Sequence, residues 1–394
     1  MSPDHIIIVG GGVIGSSIAY HLCNGPYTGS VTVVERDSSY RRASSFLSMG
    51  GIRQQFGSTE NIRLAQHSIR FYERFDDTLA NYKNLPPVRF RQRGYLFLVS
   101  EAMSKNFEQR YVTQRKLGAD VERLDVETIR KQLPDLVVDD IAFAVFGPKD
   151  GYIDPRAVLV GFRNIAETTG ATFVESAVTG LMVNGGRING VTLDNGAILK
   201  ARAVVCAAGP YAVSLAALAD VELPVTPVRQ QLFRCELPHY WPYRFPMIVD
   251  PSGVHWRHDD PVRNGESDRI VVARTKLDEP AGENFVCDVG RWNTDFRPPL
   301  VARLPALAAA RLVEGWAGLY EMTPDHNPLI GEHSEIGGFF LANGFSGHGL
   351  MMAPAVGAAM SEILTTGSTT LCDISAFDPG RFSSGNYFED EAMI

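Results

Sequence analysis

The chain has 394 residues, of which 45% are hydrophobic and 21% charged, with a formal net charge of −8 at pH 7. That length holds two domains, or one large α/β domain with an insertion, and buries a core without disulfide or metal staples. The acidic balance argues against a nucleic-acid partner, which needs a clustered basic face, and no apolar run approaches the roughly 20 residues that span a bilayer.

The leading MSPDH lacks a basic n-region, and the apolar run after it is short and ends in glycines, so no signal peptide is expected. Cys23, Cys206, Cys235, Cys287 and Cys372 are odd in number and widely spaced. With no CxxC and no Cys/His cluster they read as reduced thiols in a cytoplasmic protein without a metal site.

Ile6 to Val9 form a continuous β-branched run, as in a strand buried on both faces. Gly10, Gly12 and Gly15 fit G-x-G-x-x-G, and Val13, Ile14, Ile18 and Leu22 follow at helical spacing. Ser30 to Val34 reads as a second strand, ending in Glu35 about 20 residues after Gly15. Gly10 permits the tight turn, Gly12 lets backbone approach a pyrophosphate, and Gly15 lets helix and strand pack closely. The helix N-terminus offers N–H groups to phosphate. Glu35 accepts from a ribose 2′-hydroxyl and repels a 2′-phosphate, which leaves NAD or FAD.

Residues 36–57 are rich in Ser, Gly and Arg without a period and read as a functional loop. Ser58 caps an expected helix from Thr59 to about Tyr82. Val88 to Val99 resembles a hairpin turning near Arg93-Gly94. Helices are expected near 101–117 and 126–133, then an apolar Ile141 to Phe146. Asp154 before Pro155 starts a helix reaching Thr168. Strands are expected at Ala171 to Val174, Ala177 to Val183, Arg187 to Leu193 and Ile198 to Val205. Residues 224–300 read as an antiparallel sheet, including Val225 to Cys235 and Val254 to His258, and from Leu300 the pattern LVARLPALAAARLVEG turns helical. Phe339 to Ala342 is a strand, Phe345 to Gly349 a loop and Met351 to Leu364 a helix. Nucleotide-site architecture thus opens and closes the chain around a different sheet, which points to FAD. The expected FAD-binding domain comprises residues 1–85, 150–220 and 325–394; the substrate domain comprises 86–149 and 221–324.

IIIVGGGVIG with Glu35, ASSFLSMGGIRQQF, AVVCAAGPYA, WAGLYEMTPDHNPLIG and LANGFSGHGLMMAPAVG occur in that order. Together they resemble the FAD-dependent D-amino-acid oxidase (DAO) family, in its sarcosine oxidase and glycine oxidase branch, over nearly the whole chain. The resemblance implies an α/β (α+β) GR2-type fold: a Rossmann-like domain split around a substrate domain with a large mixed β-sheet. It implies oxidation of a C–N bond of a small amine or N-methyl amino acid, with hydride passing to flavin N5 and electrons to O2 or a carrier.

The implied FAD contacts are Gly10, Gly12, Val13, Ile14, Gly15, Glu35, Arg36, Ser44, Ser45, Val178, Gly209, Gly318 and the run Gly344, Phe345, Ser346, Gly347, His348, Gly349, Leu350, Met351. Of these, Ser44 and Ser45 resemble a phosphate-contacting position, and Val178 an adenine contact through backbone. The helix after GFSGHGL offers its N-terminal dipole to reduced flavin, with Gly347 and Gly349 allowing close approach. The implied catalytic-site residues are Arg53, Tyr320 and His348. Arg53 matches a family arginine that pairs with a substrate carboxylate; the alternative is a domain-bridging arginine. Tyr320 is a site residue or a core aromatic, and His348 is catalytic or a satisfied loop histidine. Trp241, Tyr243, His255 and Trp256 form either an aromatic wall over the flavin or core.

The chain also departs from the pattern. Gly318 stands where sarcosine oxidase has a flavin-linked cysteine, so non-covalent FAD is expected. No histidine lies near ASSFLSMGG, where the dimethylglycine dehydrogenase type has one. Met351 stands where sarcosine oxidase has a carboxylate-binding lysine. Lys276 lies near the place of the family's oxygen-activating lysine, in uncertain register. Two alternative functions stay open: a 2-hydroxy acid or glycerol-phosphate dehydrogenase, and a flavoprotein scaffold with little turnover. The second arises because SMGGIRQQFGSTENIRLA resembles the loop of a mitochondrial FAD-containing oxidoreductase-like protein linked to respiratory-complex assembly.

Overall fold

The structure, a computed structural model, describes residues 4–237, 241–259, 268–275, 278–385 and 387. A six-stranded sheet runs in the order 329–332, 339–343, 203–206, 5–9, 30–35, 172–175. The first strand, His5–Val9, pairs in parallel with both Ser30–Glu35 and Ala203–Cys206. Its alternation places Ile6 and Ile8 in one apolar cluster and Ile7 and Val9 in another, on opposite faces. Helices cover the first face: Val13–Asn24 packs against Pro155–Thr168 and Gly349–Thr366, and Thr59–Leu79 against the latter. Tyr20, Phe71, Phe75 and Phe162 interlock there. The second face is covered by a three-stranded sheet, Val178–Asn184, Arg187–Leu193 and Ile198–Lys200, through Leu181, Ile188 and Val191.

An eight-stranded mixed sheet runs in the order 311–322, 226–236, 269–274, 254–258, 247–249, 95–100, 141–147, 122–124. One pair is parallel, Met247–Val249 with Tyr95–Ser100. One face carries a core with Phe233, Trp256, Trp292 and Phe296. The other presents Tyr95, Phe97, Leu232, Met247, Val249, Val271 and Ala273. Gly51–Ile52 pairs with Gly151–Tyr152, tying the loop after Glu35 to the chain that leaves this sheet.

The capped helices are where the residues placed them. Ser58 accepts from the Asn61 N–H, and Asp154 from those of Arg156 and Ala157. Three elements differ from expectation. Val88 to Val99 is not a hairpin: only Tyr95–Ser100 is a strand, because the Val88 and Arg89 N–H groups donate to the Asp76 carboxylate and Arg91 bridges to Tyr152 instead. Ile198 to Val205 divides into Ile198–Lys200 and Ala203–Cys206, which belong to different sheets. The helical reading from Leu300 holds only to Arg303; a 3₁₀ turn at Pro305–Ala309 leads into a twelve-residue strand, Arg311–Met322. Thr226–Glu236 runs antiparallel along that strand's whole length, and this pairing overrides the helix-forming alanines and leucine. Among the described residues no helix is long and apolar enough to cross a membrane.

Candidate functional site

A cavity of about 730 Å³ opens along the C-terminal edge of the six-stranded sheet. Tight packing shapes its wall at the first turn. Gly10 has φ +105°, and a Cβ there would lie 2.3 Å from Ala207 O. A Cβ on Gly15 would lie 1.9 Å from Gly10 O, so Gly15 serves helix–strand packing and does not line the cavity. A Cβ on Gly12 would meet nothing within 4 Å, because that side faces the cavity. Gly12 N-caps the helix Val13–Asn24 with no side-chain acceptor on its N–H groups. That leaves a donor cradle for an anion.

Glu35 sits at the far end of this cradle. Its Oε2 accepts from Gly11 N–H at 2.7 Å and its Oε1 from Asp37 N–H at 2.9 Å, which fixes the carboxylate toward the cavity. Arg36 stacks 3.5 Å over the Tyr211 ring, and Ser44 Oγ donates to Leu319 O at 2.7 Å. Val13, Ile14, Ser45, Val178, Gly209, Phe345, Gly347, Gly349 and Leu350 complete this part of the wall. Tyr40 Oη, Tyr211 Oη and Glu321 Oε2 are sealed without hydrogen-bond partners along it. A dinucleotide fits this donor set: an acid at one end, free helix N–H groups in the middle and orphaned polar atoms around them. Burial holds the Glu321 carboxyl up at about 7, against the amides of Gly344 and Phe345. Sequence reasoning passed over Glu321, since a lone acid on an unrecognised strand carries no periodic signal.

A second cavity, about 70 Å³, adjoins the first. The two share Ser44, Ser48, Leu319, Tyr320, Gly347 and Leu350 as common wall. The helix Gly349–Thr366 starts at this junction, with His348 as N-cap. Gly347 has φ +93°, and a Cβ there would stand 2.4 Å from the Tyr320 ring, so ring and loop close on each other only because this residue is glycine. A Cβ on Gly349 would meet Phe345 at an ordinary 3.4 Å, so close approach requires glycine at 347 and not at 349. Gly318, Ser346 and Met351 line the second cavity and not the first. Gly344 lines neither; it has φ +74° and turns the chain against Thr323.

The structure brings Arg53, Tyr320 and His348 together at this second cavity. Arg53 is nevertheless 0% exposed. Its Nη1 donates to Gln55 O, its Nη2 stands 3.2 Å from His348 Nε2, and its guanidinium lies 4.2 Å over Phe56. In this arrangement Arg53 is sealed from solvent, although it lines the small cavity. Asp150, also 0% exposed, accepts from Gln54 Nε2 at 3.1 Å. Burial pushes its carboxyl up to about 7, and the hydrogen bonds of Gln54 and the charge of Arg53 only partly offset this.

Of the aromatic candidates, Trp241 and Trp256 belong to the core on the far face, and Tyr243 packs against it with its hydroxyl donating to Asp135. His255 alone of the four reaches the cavity, because it alternates with Trp256 along one strand. Burial lowers its pKa to about 4, so its ring is neutral. The hydroxyls of Tyr95 and Tyr320 are held protonated by burial. Lys276 lies outside the described residues.

The profile of the family described as FAD dependent oxidoreductase (DAO) matches residues 5–363. The FAD-dependent oxidoreductase domain-containing protein 1 of Xenopus laevis is 32% identical over 96% of this chain and 82% of its own. Mitochondrial dimethylglycine dehydrogenase of Mus musculus is 25% identical over 95% of this chain, which spans 44% of that protein. Among solved structures, L-proline dehydrogenase from P. horikoshii superposes with a TM-score of 0.85, at 28% identity, over 98% of this chain and 99% of its own. Glycine oxidase from Geobacillus kaustophilus superposes with a TM-score of 0.82, at 22% identity, over 96% of this chain and 99% of that one.

Proposed function

Because this chain belongs to the DAO family of FAD-dependent oxidoreductases, we propose that it oxidises the C–N bond of a small amine or amino acid, including N-methyl amino acids, with O2 or a carrier taking the electrons. The same reading divides the chain into an FAD-binding domain (1–85, 150–220, 325–394) and a substrate domain (86–149, 221–324). The observation that supports it most is the shared wall at Tyr320 and Gly347 between a dinucleotide-sized cavity and a small one. A substrate in the small cavity lies directly against whatever occupies that end of the large one.

Gly10, Gly12, Glu35, Arg36, Ser44, Ser45, Val178 and Gly209 would hold FAD non-covalently, and bound FAD would supply the hydride acceptor. The chain supplies position and field. The substrate's carbon-bound hydrogen leaves as hydride while the nitrogen lone pair closes a C=N bond, and water then splits the imine into a carbonyl compound and an amine. Neutral His255 and the protonated hydroxyls of Tyr95 and Tyr320 add no charge beside the amine, so it binds deprotonated without a dedicated base. N–H groups at the start of Gly349–Thr366 stabilise negative charge at the junction. His348, oriented by Arg53, forms the edge of that junction. The small volume keeps bulk water from the reacting carbon.

The test is an anaerobic visible spectrum of the FAD-loaded protein before and after adding proline, sarcosine, dimethylglycine, glycine and simple amines. Bleaching of the flavin band by one of them is expected. A band that bleaches with none of them but with 2-hydroxy acids or glycerol phosphate overturns the C–N assignment, and one that no small reductant bleaches favours a scaffold.

A further inference from the structure

Four acidic side chains line the large cavity: Glu35, Asp37, Glu283 and Glu321. Three of them are held. Glu35 accepts from two amides, Asp37 accepts from the Ser39 N–H at 3.0 Å, and Glu283 pairs with Arg42 at 3.2 Å. Glu321 differs. It is half-buried on the strand Arg311–Met322, and its Oε2 is sealed without a hydrogen-bond partner. The amides of Gly344 and Phe345 face its carboxyl, and among the described residues no guanidinium or ammonium group pairs with it. Gly209 stands across from it on the same wall. A Cβ on Gly209 would have Glu321 Oε2, at 3.9 Å, as its one neighbour within 4 Å outside the adjoining residues, so the space between the two is open.

An ionised carboxylate here has no cation to offset its lost hydration, and burial holds its pKa up at about 7. In its acid form the group is an O–H donor as well as an acceptor. The titratable groups around it supply no counter-charge. On its own strand the Tyr320 hydroxyl stays protonated. On the pairing strand Pro227 stands opposite, and Arg229, two residues along, is tied to Glu279. From the six-stranded sheet comes the Cys206 thiol, pushed up to about 12 by burial. On the loop 344–348, His348 turns to Arg53. Across the cavity Arg36 lies over the Tyr211 ring, whose hydroxyl is raised by burial.

We propose that Glu321 faces the bound cofactor as a neutral carboxylic acid that donates a hydrogen bond to it, so that FAD binding above neutral pH takes up a proton from water. This rests on FAD occupying the large cavity and not on the identity of the substrate. FAD brings negative phosphates together with hydroxyl and carbonyl acceptors. An ionised Glu321 repels the first and donates to none of the others, so the occupied site favours the acid form. Below about pH 7 the empty site already holds that form, and affinity does not depend on this group. As pH rises above 7 the empty site loses the proton that the occupied site keeps. Affinity then falls, by about tenfold per pH unit, until the occupied site's own pKa is reached.

The experiment reads cofactor binding, not turnover. FAD-loaded wild type and Glu321→Gln, whose amide copies the neutral acid and keeps a donor, are diluted at several pH values from about 6 to about 9. Fluorescence of the released FAD gives its affinity, and Tm confirms that the variant is folded. In addition, FAD is titrated by calorimetry into the FAD-stripped wild-type chain near pH 8, in two buffers of different ionisation enthalpy, which counts the protons taken up. Wild-type affinity should fall at least about tenfold between pH 7 and pH 9, with uptake of at least about half a proton near pH 8. Glu321→Gln should hold FAD like wild type at pH 6 and stay within about twofold of that value up to pH 9. Three results overturn the proposal: the same pH slope in both proteins, a folded Glu321→Gln that binds FAD more than about tenfold weaker at pH 6, or no proton uptake by wild type. The last needs no variant.

Discussion

The buried polar residues divide into those that carry charge at neutral pH and those that burial keeps neutral. His255 belongs to the second group, with its pKa lowered to about 4. Asp150 lies at the boundary, since its carboxyl is raised to about 7 from an ordinary 3.8. The sign follows from proton binding. Between those values the folded state keeps a proton that the unfolded chain has lost, so this group's contribution is fully present below about pH 4 and is lost as pH rises through about 7. Asp150→Asn, which copies the neutral form, should therefore gain stability over wild type as pH rises from 4 to 8, by an amount on the order of 1–4 kcal/mol. Denaturant titrations at several pH values measure this, and a constant difference between the two proteins would contradict it. The loop sequence singled out Arg53 as a candidate, but its sealed position was not legible there. Exposure depends on Phe56 and Phe97, which reach it from separate elements.

Among the elements, the loop from Gly344 to His348 and the strand Arg311–Met322 decide the junction together. The loop was legible from its glycines. The strand was not, because LPALAAARLVEG favours a helix locally and only its long antiparallel partner makes it extended. Gly347→Ala tests how tightly the two fit. A Cβ there meets the Tyr320 ring at 2.4 Å and forces alanine to φ +93°. Gly118 has a comparable φ of +76° with nothing within 4 Å. Gly118→Ala should therefore cost only about 1 kcal/mol, whereas Gly347→Ala should lower Tm further and release FAD during gel filtration. Equal effects would mean that the ring moves aside freely.

At the scale of the molecule, the large cavity draws walls from sequence-distant segments, among them residues 9–14, 34–48, 176–178, 207–218, 319–321 and 342–350. A ligand that binds only when all of them are assembled stabilises the folded state by mass action, about 2.7 kcal/mol at 100 times Kd. Stripping FAD should lower Tm, and restoring it should raise Tm in step with its concentration. An FAD-independent Tm would remove this cavity as the cofactor site.

By itself the sequence determined the first βαβ unit, the capped helices and the acid at Glu35, because each rests on neighbours within about one or two turns of chain. It also determined the family, through five motifs kept in order. Only the tertiary structure decided that Ile198 to Val205 serves two sheets, that Arg311–Met322 is the edge strand of the large sheet, and that Arg53 is sealed from solvent. The physical reason is the same in each case. Strand pairing and side-chain exposure are set by partners far away in sequence, and no local pattern of residues encodes which partner arrives.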